Sequence, residues 1–396
     1  MQIKSVIKTV CFGVMCVAVG IFLYSRMHVE YSVETQKDKG KSAVETEVIK
    51  GNMGNDPVVF PEKFQKEVSE LLIFDVEVDV SENFNPQGFH VATATRSKVD
   101  TEKVYSYFIE ENEDISSVVY ENYIDFDGYE TPITVYENEN KYLNIAKFDF
   151  GYSKIPQMDY IYNSFYTDSS VEEYNEYLYS KEENLGFMDR KEAWNEVIKA
   201  LEELGVDMST AISNVTYSLD METMAKEEKC FDVDGNEILA EKNPNWSESD
   251  EGYYYYITQS NQGIPLYASS KLETDEEYIT PMKIFQTESG IQEVNLSRWF
   301  QIEEQEEVME FTSFENVMLT IEEKYSGTIH TNPLTVESAK LYVFTIPQDE
   351  EIYTLVPVWV CRIAEEHIEW GEDSYTSYIY MPINAITGEE MLVLEN

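Results

Sequence analysis

Phe74, Val76, Val78 and Val80 alternate with Asp75, Glu77 and Asp79, a period of two that predicts a half-buried strand. Just upstream, Phe64, Val68, Leu71 and Leu72 recur at i, i+4, i+7 and i+8, the spacing of a short amphipathic helix. Further β-like runs occupy residues 117–124, 132–136 and 142–150, punctuated by the turn signals Asp127-Gly128 and Asn138-Glu139-Asn140. A Tyr-, Ser- and Asn-rich stretch over 159–183 reads as a loop or domain junction.

The clearest helix covers residues 189–204. Asp189 and Glu192 have capping-box spacing, and Ala193, Val197, Ala200, Leu201 and Leu204 share one apolar face. Gly205 sits where a C-terminal glycine belongs. Residues 312–325 repeat the design, with Thr312 and Glu315 as the box and Phe314, Val317, Met318 and Ile321 as the face. Each helix is followed by strand-like runs: 215–221 and 253–259 after the first, 339–346, 355–363 and 377–385 after the second. Turns are predicted at Gln262-Gly263, Ser289-Gly290 and Thr387-Gly388. Strands joined by hairpins without intervening helices predict an α+β fold built of repeated helix-on-antiparallel-sheet units. The expected divisions are an N-terminal α+β region at 59–183, a first helix-plus-sheet unit at 184–300 and a second at 301–396.

The N-terminus changes the picture of where this body sits. Val6 to Tyr24 is largely apolar, with Lys4 before it and Arg26 after. That pattern predicts a signal-anchor or transmembrane segment at 1–26, and the polar residues 27–58 predict a flexible stalk. A cleaved signal is the competing reading, opposed by the bulky Phe22-Leu23-Tyr24 where small residues would be needed. The expected location is the cell membrane, single-pass, with the C-terminal ectodomain extracytoplasmic and the lipid bilayer engaged by the N-terminal helix.

Charge narrows the partners. The 76 acidic and 28 basic residues give a formal net charge of −48, which repels phosphate-bearing partners and argues against nucleic-acid binding. Cations, basic proteins or plain solubility are what such a surface suits.

Candidate chemistry is sparse. The chain holds four histidines, His28, His90, His330 and His367, and no two have metal-ligand spacing. Cys361 and His367 share a strand face six residues apart, too far for a nucleophile and its base, so Cys361 reads as a structural thiol. A disulfide between Cys230 and Cys361 is left open. Asp125 to Glu130 and Asp232 to Glu237 share the form D-x-D-G-x-E, which tempts a calcium reading but lacks the EF-hand positions. Asp-Gly between apolar runs is more simply a hairpin turn. The run Tyr253-Tyr254-Tyr255-Tyr256, on a strand, is expected to bury two rings and expose two. No catalytic, cofactor-binding or metal-ligating residue is singled out.

Leu355-Val356-Pro357-Val358-Trp359-Val360, followed by Tyr378 to Ala385 and Ile386-Thr387-Gly388-Glu389, forms a P-x-W … N-A-x-T-G-E ending. It resembles the C-terminal module of YycH/YycI-type proteins and is similar to PepSY-like domains, whose final hairpin carries such a turn. Gln262-Gly263-Ile264-Pro265-Leu266 looks like the G-I-P strand of the same family. The resemblance implies a single-pass, extracytoplasmic, non-enzymatic protein that restrains a membrane sensor kinase by contact. The expected function is therefore a membrane-anchored regulatory or protein-binding ectodomain with a membrane or envelope protein as partner. A cell-envelope carbohydrate-acting enzyme or a ligand- or solute-binding module is the alternative.

Overall fold

Alternating apolar and polar residues pair into hairpins wherever turn residues separate them, and this chain does so repeatedly. The computed structural model describes residues 58–82, 84–125, 127–155, 157–165, 175–229, 242–267, 281–328, 331–367 and 374–391. In chain order the elements are β1 (Lys63–Ser69), β2 (Leu72–Asp79), β3 (His90–Arg96), α1 (Thr101–Phe108), β4 (Ser116–Ile124), β5 (Glu130–Glu137), β6 (Lys141–Ile145) and β7 (Phe150–Lys154). There follow α2 (Gln157–Tyr162), α3 (Arg190–Glu203), β8 (Ala211–Leu219), α4 (Met221–Glu227), β9 (Gly252–Asn261), β10 (Ile264–Pro265), β11 (Met282–Thr287) and β12 (Gly290–Leu296). The last are β13 (Phe300–Val308), α5 (Phe314–Ser326), β14 (Leu334–Pro347), β15 (Ile352–His367) and β16 (Tyr375–Asn384).

The strands form two sheets. One runs β1-β2-β14-β15-β3-β13, with β16 also paired to β15. The other runs β10-β9-β11-β12-β7-β6-β5-β4, with β8 also paired to β9. The first sheet is thus drawn from both ends of the chain, and the second from its middle. The α+β expectation of repeated helix-on-antiparallel-sheet units is corrected here: sixteen strands stand against five α-helices among the described residues, and the molecule is mostly β. Within the first sheet β14 runs parallel to β2, a pairing that no hairpin connection implies. Local alternation identifies strands but leaves their distant partners unspecified.

Two other expectations change for related reasons. Residues 63–69 form strand β1, not a helix. Phe64 and Val68 are four apart, a spacing that puts them on one face of a strand as well as of a helix. Pairing with β2 decides between the two, and Lys66 between them reaches Glu322 on α5. The expected cap of the second long helix also shifts by one, since Ser313 accepts from Asn316 N while Thr312 lies outside. The first long helix is as read: Asp189 accepts from Glu192 N, and Gly205 adopts φ +88°.

Four apolar clusters hold the layers together. Phe314, Val317, Met318 and Ile321 of α5 pack on the first sheet around Trp359. Ala193, Val197 and Leu201 of α3, with Val104 and Phe108 of α1, cover one face of the second sheet. Met158, Ile161 and Met224, from α2 and α4, cover its other face around β9. The fourth joins Tyr267 to Phe344, Val358 and Val360 on the far side of the first sheet.

The sheets are stitched by side chains. Gln259 Nε2 donates to Phe300 O (2.7 Å), while Phe300 N donates back to Gln259 Oε1 (2.8 Å). Gln262 donates to His90 O in the same reciprocal way (2.9 Å).

No helix among the described residues is long and apolar enough to cross a membrane; the longest, α3, has 14 residues and is amphipathic. A spanning helix needs about 20 apolar residues. The single-pass location and its transmembrane, signal-anchor description are corrected on that finding, which says nothing of strands. Val6 to Tyr24 and the expected stalk up to Pro57 lie outside the described residues.

Candidate functional site

The residues that the sequence raised for chemistry are placed as follows. Asp125 to Glu130 forms the β4–β5 turn, with Gly128 at φ +85°. Asp125 Oδ1 accepts from Asp127 N (3.1 Å) and Tyr129 N (2.8 Å), folding the loop on itself. Its other oxygen receives Arg96 Nη1 at 2.7 Å. Asp127 lies 3.4 Å from Arg96 Nε and 3.1 Å from Arg298 Nη2. Guanidinium groups therefore occupy the positions a calcium ion would need. The second D-x-D-G-x-E run, Asp232 to Glu237, lies outside the described residues, as do Cys230, His28 and His330.

Cys361 is a free, fully buried thiol whose pKa is pushed up to about 12 by desolvation, which makes it a poor nucleophile. His367 sits away from it, stacked on Tyr375 with Nε2 2.8 Å from Ser377 Oγ. The expectation of two exposed rings in the tyrosine run is overturned: Tyr253, Tyr254, Tyr255 and Tyr256 are all buried. Strand β9 is central and covered on both faces, Tyr253 and Tyr255 by the α3 layer and Tyr254 and Tyr256 by the α2 and α4 layer.

The structure assembles one constellation that motif reading did not find. At the sheet junction, Arg96 on β3 and Arg298 before β13 meet Asp125 and Asp127, with Asp149 from the β6–β7 turn beside them. Arg96 lies over the Phe148 ring at 4.0 Å and is 2% exposed. A faint signal existed: Ala92, Ala94 and Arg96 fall on one strand face, so an arginine ends a core-facing series. Its partners lie too far along the chain to be guessed.

Asp149 carries the titration of this cluster. Burial pushes its pKa up to about 6; the Tyr123 hydroxyl, donating at 3.2 Å, and Arg96 oppose the shift, while Asp125 and Asp127 add to it. The native state therefore keeps a proton that the unfolded chain releases near 3.8, so stability falls as pH rises from about 4 to 6 and levels off above. Asp149→Asn is expected to remove that limb and to stabilise the protein at pH 7 by about 1–3 kcal/mol. Parallel urea titrations of the two proteins at pH 5 and pH 7.5 test it. A pH-independent difference would contradict the assignment.

An outer surface stands apart from this buried cluster. Among the described residues strand β4 ends its sheet, paired with β5 alone. Val118, Val119, Tyr120 and Ile124 on it are 46%, 55%, 56% and 48% exposed. The flat stretch runs from Ser116 to Tyr120, before a bulge between Tyr120 and Tyr123. Natural edge strands are commonly guarded by lysine, proline or early bulges. Here the flat stretch carries no charge; exposed Glu110, Glu111, Asp114 and Glu121 flank it along the chain, and exposed Glu137 pairs opposite Ser116.

Comparison with known proteins adds the fold and nothing about activity. No family model and no curated protein matches the chain. Among solved structures it is similar to an uncharacterized protein from Eubacterium rectale ATCC 33656, with a TM-score of 0.53 and 16% identity over 84% of this chain and 94% of that one. At that identity the likeness is one of fold.

Proposed function

We propose that this chain is a protein-binding regulatory module, without catalysis of its own, that receives an extended cationic segment of its partner as a strand added to β4. The observation that carries the reading is the run of half-exposed apolar residues on an uncapped sheet edge. An added strand gains main-chain hydrogen bonds from the open edge and side-chain burial from Val118, Val119 and Tyr120. The carboxylates around the edge, on a chain of net charge −48, select a basic segment and repel a second copy of this protein. The resemblance of the C-terminal pattern to YycH/YycI-type regulators supports control by contact.

A fluorescent peptide of alternating valine and lysine is the probe, titrated with the full chain and followed by anisotropy. It should bind at low salt and weaken steeply as salt screens the carboxylates. Val119→Lys, a guard lysine at an exposed position, should lower the affinity by about tenfold or more while moving the melting temperature by less than about 2 °C. Equal binding by a control peptide of alternating valine and glutamate, or unchanged binding by Val119→Lys, would sink the proposal. So would concentration-dependent dimerisation that Val119→Lys abolishes, because the edge would then serve a second copy.

A further inference from the structure

Independently of the β4 edge, a pocket of about 500 Å³ opens between the start of α3 and the edge strand β8. Arg190, Lys191 and Trp194 form one wall, and Ser213 and Thr216 with Tyr255 behind them form the other. Strand β8 bulges between Ser213 and Val215, within the stretch that lines the pocket.

The electrostatics of this pocket differ from those around most cations of the molecule. Acidic residues outnumber basic ones 76 to 28, so a cation on this chain ordinarily has a carboxylate near it. Lys63, Lys66, Lys98, Lys141, Lys147 and Arg96 all do, within ion-pair distance. Among the described residues Arg190 and Lys191 make no such pair; Glu182 is the acid whose field reaches Arg190, without contact. Arg190 is nonetheless fixed in place. Its Nη1 donates to Ser218 Oγ and its Nη2 to Thr216 O, each at 2.8 Å, and the guanidinium stands 5.6 Å from the Tyr253 ring centre. A guanidinium has five N–H donors, so these two anchors leave three for a ligand. The half-buried Trp194 ring, 5.6 Å from Tyr255, supplies an aromatic surface beside them. Ser213 and Thr216 add hydroxyls, bonded to one another at 2.8 Å.

A held arginine with spare donors, a flanking lysine, an aromatic wall and a volume in the range of small-molecule sites make a recognisable combination. We infer that this pocket binds a small organic monocarboxylate, its carboxylate on Arg190 and an aromatic or branched apolar body against Trp194. A single negative charge is the choice because the net charge of the chain opposes entry of a multivalent anion. An apolar body is the choice because the aromatic wall gains from burying it.

The test titrates the full chain with phenylacetate, indole-3-acetate, neutral phenylacetamide and inorganic phosphate. Calorimetry reads binding of all four, and tryptophan fluorescence reads phenylacetate. At least one of the two carboxylates should bind at least about tenfold more tightly than the amide, since the charge-assisted bonds are absent from the amide. Arg190→Gln should lower carboxylate affinity by about tenfold or more, and Lys191→Gln by about two- to threefold. Trp194→Ala should weaken the binding seen by calorimetry as well as abolish the fluorescence change, because the aromatic wall is removed. Ser213→Phe, at an exposed position on the pocket rim, should block the ligand without lowering the melting temperature, and it decides the matter should Arg190→Gln fold poorly. Binding of neither carboxylate, equal binding of the amide, tighter binding of phosphate, or wild-type affinity in folded Arg190→Gln or Ser213→Phe overturns the inference.

Discussion

Arg96→Met is expected to cost about 3–5 kcal/mol of folding free energy, the usual penalty for removing one partner of a buried ion pair. The wild-type guanidinium meets Asp125 at 2.7 Å with side-chain exposure of 1% on both residues. Methionine fills much of the space but leaves Asp125 without its cation and leaves Asp127 with Arg298 alone. Desolvated carboxylates without compensation dominate the loss, because water cannot reach them. The whole stability of a domain is about 5–15 kcal/mol, so the variant should melt far below wild type. Two accompanying results distinguish this cause from lost packing. The deficit should shrink in acid, where the stranded carboxylates take up protons, and Asp125→Asn added to Arg96→Met should recover part of it. Urea unfolding across pH is the measurement. A loss below about 1 kcal/mol would mean that the cluster contributes little to joining the sheets.

Trp359→Ala should cost a comparable 3–5 kcal/mol through a different mechanism, since a large aromatic deleted from a core leaves a cavity. Trp359 is fully buried, and Phe60 and Phe314 meet it edge-on with ring centres 5.1 and 5.0 Å away. It joins three elements: its own strand β15, helix α5 through Phe314, and the segment entering β1 through Phe60. Among the described residues its indole N–H has no hydrogen-bond partner, so little polar compensation is lost with it. Trp359→Phe should therefore cost less than about 1.5 kcal/mol, and indole or benzene added to Trp359→Ala should raise its melting temperature by filling a dry cavity. Thermal melts of the three proteins with and without ligand decide it. An alanine variant as stable as wild type would show that the α5 layer repacks freely.

These two sites differ in how much of them the sequence carried. The proline–tryptophan strand and the Asn384 to Gly388 turn were readable because their signals are local. Asn384 Oδ1 accepts from Ile386 N and Thr387 N, and Gly388 takes φ +76°, as such a turn requires. The Gln262-Gly263 turn was equally legible, with φ of +51° and +88° at its two corner residues. Helix α3 was legible from Asp189 to Gly205 because its cap, apolar face and terminator lie within a few turns. The Arg96 cluster and the Arg190 pocket were not, since each depends on residues brought from separate strands and helices.

Local order along the chain, then, was enough to determine most strands, the two long helices, the hairpin turns and the acidic character of the molecule. Period, capping and turn chemistry act within a few residues, so one sequence suffices to read them. Tertiary structure alone decided that β1 is a strand, that β2 and β14 run parallel, and that both chain ends share one sheet. It alone decided that β9 is covered on both faces whereas β4 is left open at an edge. Burial is a property of what packs against a strand, and for β4 and β9 the neighbours that settle it come from distant parts of the chain.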